Sequence, residues 1–179
     1  DLSRILTNLR LKRDKGELKF DRVVIETTGV ANPGPVCQTF FMDDAVAPFF
    51  RLDGVVTIVD AKHGSQTLDE QPVAKDQVAF ADRIFISKRD LVSAEEYEAL
   101  RSRLVAMNPR AVIEPADMGN VPVEKVLDIY GFNMNDILDL DPGFLTGAHH
   151  HHHGDDVAAF MFVSDKPFDA ARFEQYIQS

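Results

Sequence analysis

Cysteine and tryptophan are almost missing from this chain: Cys37 stands alone and there is no tryptophan in 179 residues. One thiol excludes an internal disulfide and a multi-cysteine zinc site within these residues, and it fits a reducing compartment. Cys37 itself reads as a small buried hydrophobe. No apolar run nears the roughly 20 residues of a membrane helix, and the N-terminus carries no signal-peptide pattern. A cytoplasmic protein with no membrane partner is expected. Excess positive charge is also lacking, with 19 Lys and Arg against 29 Asp and Glu. Apart from Lys12-Arg13-Asp14-Lys15 the basic residues are scattered, so no stripe exists to neutralise phosphates and nucleic acid is not an expected partner.

What the chain does have is alternation of short apolar strands with amphipathic helices. It opens at Asp1 inside a helical pattern (Leu2, Ile5, Leu6, Leu9), which implies further sequence upstream. Arg22 to Glu26 reads as a short buried strand ending on a carboxylate, followed by the polar loop Thr27-Thr28-Gly29. Asn32-Pro33-Gly34-Pro35 is turn chemistry, with Pro35 suited to the first turn of a helix carrying Val36, Phe40 and Phe41. Gly54 to Val59 is a second apolar run and stops at Asp60. Pro72 opens a helix through Val78 and Ala81, and Arg83 to Ile86 forms a third strand ending in Ser87 to Asp90. Ser93-Ala94-Glu95-Glu96 is a capping box for a helix whose apolar face is Tyr97, Leu100 and Leu104. Asn108-Pro109 ends it, Ala111 to Ile113 reads as a fourth strand, and a short helix is expected around Val123 to Leu127.

Continuously apolar strands separated by helices predict an α/β fold, a mostly parallel sheet with helices on both faces. The expected organisation is a main domain over 1–131, a linker over 132–156, and the start of a small C-terminal α+β domain over 157–179. In that last part Val157 to Val163 reads as a strand, and Asp169 caps a helix with Phe168 and Phe173 as a staple.

In parallel α/β sheets ligands bind beyond the carboxyl ends of the strands, where this sequence puts Glu26 to Gly29, Asp60, and Ser87 to Asp90. Ser87-Lys88-Arg89-Asp90 resembles the guanine-specificity motif of GTPases, with Ser87 in place of the commoner Asn or Thr. An Asp90 carboxylate can accept two hydrogen bonds from guanine N1–H and the N2 amino group, and the Lys88 stem can lie across the base. Adenine offers no such donor pair. A plain solvated turn leading into the Ser93 cap is the alternative. Glu26 can hold Mg²⁺ through water, and Gly29 can bring its backbone N–H near a γ-phosphate.

Val24-Ile25-Glu26-Thr27-Thr28-Gly29-Val30-Ala31-Asn32-Pro33 resembles the corresponding segment of CobW-like P-loop GTPases. The resemblance continues through Phe20-Asp21-Arg22, Leu52 to Val56, Val59-Asp60-Ala61, Gln77 to Arg83 and Ser87 to Asp90, and so covers most of residues 1–109. It implies a GTPase that binds Zn²⁺, or Co²⁺ or Ni²⁺, and delivers it to a client metalloprotein. GTP and Mg²⁺ serve the switch, with Glu26 and Gly29 as catalytic switch residues and Ser87, Lys88 and Asp90 reading the guanine nucleotide. A homodimer is compatible with it. Two features of the family are not found in these residues: the G-x-x-x-x-G-K-[ST] phosphate loop and a Cys-x-Cys-Cys metal motif. The 179 residues alone are therefore expected to be inactive as a GTPase.

Five consecutive histidines, His149, His150, His151, His152 and His153, can supply imidazoles to Zn²⁺, Co²⁺ or Ni²⁺, with Asp155 and Asp156 as oxygen ligands, but a flexible run fixes no geometry. They lie where CobW-like proteins are His-rich, and a native metal loop is preferred over an inert linker or an affinity-tag remnant. His63 reads as a solvated turn histidine. The rival class is a non-enzymatic module in which the His tract buffers metal.

Overall fold

The computed structural model describes residues 2–29, 31–132, 138, 143 and 144. The expected C-terminal domain falls outside these residues, as does most of the expected linker, including the expected metal ligands His149, His150, His151, His152 and His153.

Three strands, β1 (Val56–Asp60), β2 (Arg83–Ser87) and β3 (Val112–Ala116), form one parallel sheet in the order β1-β2-β3. Among the described residues five α-helices accompany them: α1 (Leu2–Asp14), α2 (Pro33–Met42), α3 (Gly64–Glu70), α4 (Pro72–Ala79) and α5 (Ala94–Met107). Pairing runs without a slip, Val59 opposite Ile86 opposite Pro115, and Asp60 opposite Ser87 opposite Ala116. The strand exits are therefore level.

The main core fills one face of this sheet. Val59, Ile84 and Ile86 from the strands meet Leu68 of α3, Ala74 and Val78 of α4, and Tyr97, Leu100 and Leu104 of α5. Helix α5 takes this position because its apolar residues recur every three to four places, and its start is fixed by reciprocal capping. The Glu96 backbone N–H donates to Ser93 Oγ at 3.2 Å, and the Ser93 N–H donates to Glu96 Oε2 at 2.8 Å. Gly64 lets α3 begin hard against β1: a Cβ there would lie 2.7 Å from Val59 Cγ1. Helix α3 is the one element that no sequence pattern announced, being a single polar stretch with Leu68 as its buried anchor.

Helices α1 and α2 pair around Leu6, Phe40 and Val46. Asn32 caps α2, its Oδ1 accepting from the Gly34 N–H at 2.8 Å, and Pro33 takes the first helical position with Pro35 in the same first turn, as expected. Cys37 is buried with Phe80 and Phe144, as a small hydrophobe would be. Burial, with a smaller contribution from nearby Asp82, pushes its thiol up to about 12, so it stays protonated and inert.

Residues 22–26 depart from expectation. The segment belongs to no strand, and Val24 is 76% exposed. A strand exists only with a neighbour to take its backbone N–H and C=O groups, and apolar composition alone cannot supply one. The helix expected near Val123 is likewise only a 3-10 turn, Val123–Lys125.

Asn108 holds the sheet to its helices. Fully buried, its side-chain amide donates to the carbonyls of Val78, Ala79 and Ala81 at 2.8–3.2 Å, and its Oδ1 accepts from the N–H groups of Arg110 and Ala111. One side chain thus ties the end of α4 and the entry to β2 to the entry to β3. Replacing Asn108 by Ala strands several buried backbone groups and should cost about 3 kcal/mol, measured by urea denaturation. A loss below about 1 kcal/mol would show that water replaces the amide.

Candidate functional site

The level strand exits gather three polar loops. After β1, the Asp60 Oδ1 accepts from the backbone N–H groups of Lys62 and His63 at 2.8 and 3.1 Å, while Oδ2 accepts from Lys88 Nζ at 2.7 Å. His63 is exposed at the start of α3, a solvated turn residue as expected. Burial works to raise the Asp60 pKa, but the Lys88 hydrogen bond and the two backbone donors outweigh it and hold the carboxyl below its usual range. After β2, Ser87 Oγ donates across the sheet to the Val59 carbonyl at 3.3 Å, a hydroxyl tie between the first two loops.

Lys88 takes a left-handed backbone, φ 56°, and then Arg89–Leu91 form one 3-10 turn that carries Asp90 to the surface. A left-handed residue between strand and turn reverses the chain tightly, and in a lysine it costs energy that the Asp60 contact helps to offset. The Lys88 ammonium is engaged by Asp60, which braces the loop that presents Asp90, while the expectation for Lys88 concerns its stem.

After β3 the chain turns back through Asp117-Met118-Gly119-Asn120, closed by the Asn120 N–H donating to the Asp117 carbonyl at 2.9 Å. Arg89 bridges to Asp117 at 2.9 Å and so joins the second and third loops. Arg89, Asp90, Asp117 and Met118 line an open depression of about 350 Å³, within the roughly 300–1,000 Å³ of small-molecule sites. Asp117 and Met118 carried no motif in the sequence. Only the pairing of β2 with β3 places them beside Asp90.

The Glu26 to Gly29 segment lies elsewhere. Glu26 and Gly29 are both exposed. Gln77 of α4 donates to the carbonyls of Gly29 and Ala31 at 3.3 and 2.9 Å, and Asn32 donates to Asp76 at 2.9 Å. Helix α4 is therefore the anchor of this loop, and burial raises the Asp76 carboxyl above its ordinary value. Among the described residues, no three His, Cys, Asp or Glu side chains cluster to hold a metal, and no helix is long and apolar enough to cross a membrane. The metal ligands expected from the sequence, His149, His150, His151, His152 and His153, lie outside the described residues.

Residues 1–114 match the CobW/HypB/UreG nucleotide-binding domain. The chain belongs to this family. It is 32% identical over 180 residues to the zinc chaperone YjiA of Escherichia coli (strain K12), a match that spans 100% of this chain and 55% of that protein. Over 134 residues it is 36% identical to the zinc-regulated GTPase metalloprotein activator 1 of Schizosaccharomyces pombe (strain 972 / ATCC 24843), covering 74% of this chain and 32% of that protein. The crystal structure of the Zn(II)-bound YjiA GTPase from E. coli superposes with a TM-score of 0.68 at 38% identity, over 74% of this chain and 41% of that one. The parallel sheet with its helices is thus the P-loop GTPase fold of YjiA. The chain spans about half the length of YjiA and a third of the fission-yeast relative.

The Asp60 contacts carry a pH dependence of defined sign. A carboxyl whose folded pKa is lowered stabilises the fold above its unfolded pKa of about 3.9, and that contribution disappears as pH falls through the folded value. Asp60→Asn should flatten the loss of stability below about pH 4 in acid titrations followed by circular dichroism. An unchanged acid limb would show that the Lys88 contact contributes nothing.

Proposed function

We propose that these residues form the guanine-reading and switch part of a GTP-dependent metallochaperone that binds zinc and passes it to a client metalloprotein. The observation that carries the reading is the depression beside Asp90, built from two loops that follow adjacent strands of a GTPase-family sheet. An exposed carboxylate at such an edge can accept from the N1–H and N2 amino group of guanine together, which adenine cannot match. Ser87 and Lys88 act behind it, the hydroxyl tying loop to strand and the ammonium bracing the turn through Asp60.

Hydrolysis would use water as the nucleophile, with Glu26 and Gly29 on the γ-phosphate side. Mg²⁺ takes near-octahedral oxygen coordination, and the segment that carries Glu26 offers one carboxylate where several donors are needed. The described residues do not make a magnesium site by themselves. Nor do the 179 residues contain a G-x-x-x-x-G-K-[ST] sequence. On this reading, turnover belongs to a protein that supplies a phosphate loop as well, and the 179 residues alone do not hydrolyse GTP. Zinc, or Co²⁺ or Ni²⁺, is cargo. His149, His150, His151, His152 and His153 are proposed to take part in holding it, within the proposed linker 132–156 that leads from the nucleotide domain 1–131 to a C-terminal domain beginning at 157.

The test uses protein from the complete reading frame that contains these residues. Asp90→Asn exchanges an acceptor for a donor, and xanthine presents an acceptor where guanine has its amino group. The variant should lose GDP affinity by about 100-fold or more and gain affinity for xanthosine diphosphate. Retention of GDP binding by the variant would place guanine recognition elsewhere.

A further inference from the structure

Packing does not hold Gly29: a Cβ built on it would meet no atom within 4 Å. Glycine also has the widest choice of backbone conformations. A loop that is to bring the Gly29 N–H to one place on a γ-phosphate therefore needs a restraint other than van der Waals contact, and the fold supplies one. The Gln77 side-chain nitrogen donates to the carbonyls of Gly29 at 3.3 Å and Ala31 at 2.9 Å. An amide NH2 group carries two hydrogens, one for each acceptor. Two bonds to one loop fix its orientation as well as its distance, where a single bond would leave it free to swing.

Gln77 is itself well held. It lies in the last turn of α4, where its backbone carbonyl accepts from Thr57 Oγ1 of β1 at 2.8 Å. The next two carbonyls, of Val78 and Ala79, accept from the buried Asn108 amide. The preceding residue, Asp76, accepts from the Asn32 amide at 2.9 Å and so fixes the far end of the loop, where Asn32 caps α2. We propose that Gln77 is a positioning residue for GTP hydrolysis: it acts through Gly29, setting where the loop presents its N–H, without itself contacting the nucleotide. A neutral amide suits this role because it restrains the loop without placing a further charge beside the phosphates. The inference rests on the reading of Glu26 and Gly29 as the switch.

The test uses protein from the complete reading frame, with GTP and GDP as probes. Gln77→Met keeps the length of the side chain and removes both donors, and Gln77→Glu keeps its shape and sets a carboxylate against two carbonyls. Both should lower kcat for GTP hydrolysis about 10- to 100-fold, the loss expected when a reacting group is displaced by about an ångström. GDP has no γ-phosphate and should bind either variant within about twofold of the parent. Without nucleotide, the amide hydrogens of residues 26–32 should exchange about fivefold to tenfold faster in Gln77→Met, because a loop that has lost its tether opens more often. A side chain that served stability alone would lower Tm and weaken GDP together with kcat. Two results would overturn the inference: kcat of Gln77→Met within about twofold of the parent, or a fall in kcat matched by an equal fall in GDP affinity. If kcat of Gln77→Met is unchanged while Glu26→Gln lowers turnover, Gln77 alone is misassigned. If Glu26→Gln also leaves turnover unchanged, the segment is not the switch and both readings fall.

Discussion

Asp60, Ser87 and Ala116 stand side by side because three parallel strands pair without a slip over five residues each. That alignment is the constraint from which the rest of the molecule follows. A shift of one residue in β2 would turn Ile84 and Ile86 away from α3, α4 and α5, and would carry Ser87 away from Val59 and Lys88 away from Asp60. Core and site are thus specified by the same register. Asn108 enforces it from below by hydrogen bonding the approach to β2 and the approach to β3 through one buried amide.

Two of the four described non-glycine residues with positive φ lie where the strands exit. Lys88 and Met118 adopt left-handed conformations there, and two ion pairs, Asp60–Lys88 and Arg89–Asp117, link consecutive loops in a chain from β1 to β3. Exposed ion pairs contribute little stability singly. Their effect here is geometric: each fixes one loop relative to the next, so that Asp90 projects from a braced turn. The glutamate-bearing loop is held differently, by the Gln77 amide and the Asn32–Asp76 hydrogen bond on α4. Guanine reading and switching are therefore proposed to reside on two separately anchored loops, an arrangement that lets one move while the other stays fixed.

Much of this was legible from local sequence. The capping box at Ser93, the break at Asn108-Pro109, the runs that became β1 and β2, and the Ser87 to Asp90 motif each carry their signal within a few residues. Where the pattern failed, the determinant was distant. Residues 22–26 have the composition of a strand, yet a strand is a relation between two segments, and the described residues give this one no partner. Helix α3 has one buried anchor, Leu68, too few to form a periodic pattern. Asp117 and Met118 belong to the site only because β3 pairs with β2, with Val112 set opposite Arg83. The second and third loops become one depression through tertiary pairing, which no motif records. The tract from His149 through His150, His151 and His152 to His153, like the C-terminal segment, was read from composition and family resemblance, and its structure lies beyond the described residues.

Selection of guanine by the edge beside Asp90 is the property on which the proposed function rests. Its most direct test is competition: protein from the complete reading frame is loaded with a fluorescent guanine diphosphate and displaced by unlabelled GDP or ADP. ADP should be weaker by at least about 100-fold, because a carboxylate placed for two donors is left unpaired by adenine. Equal displacement by the two nucleotides would contradict it.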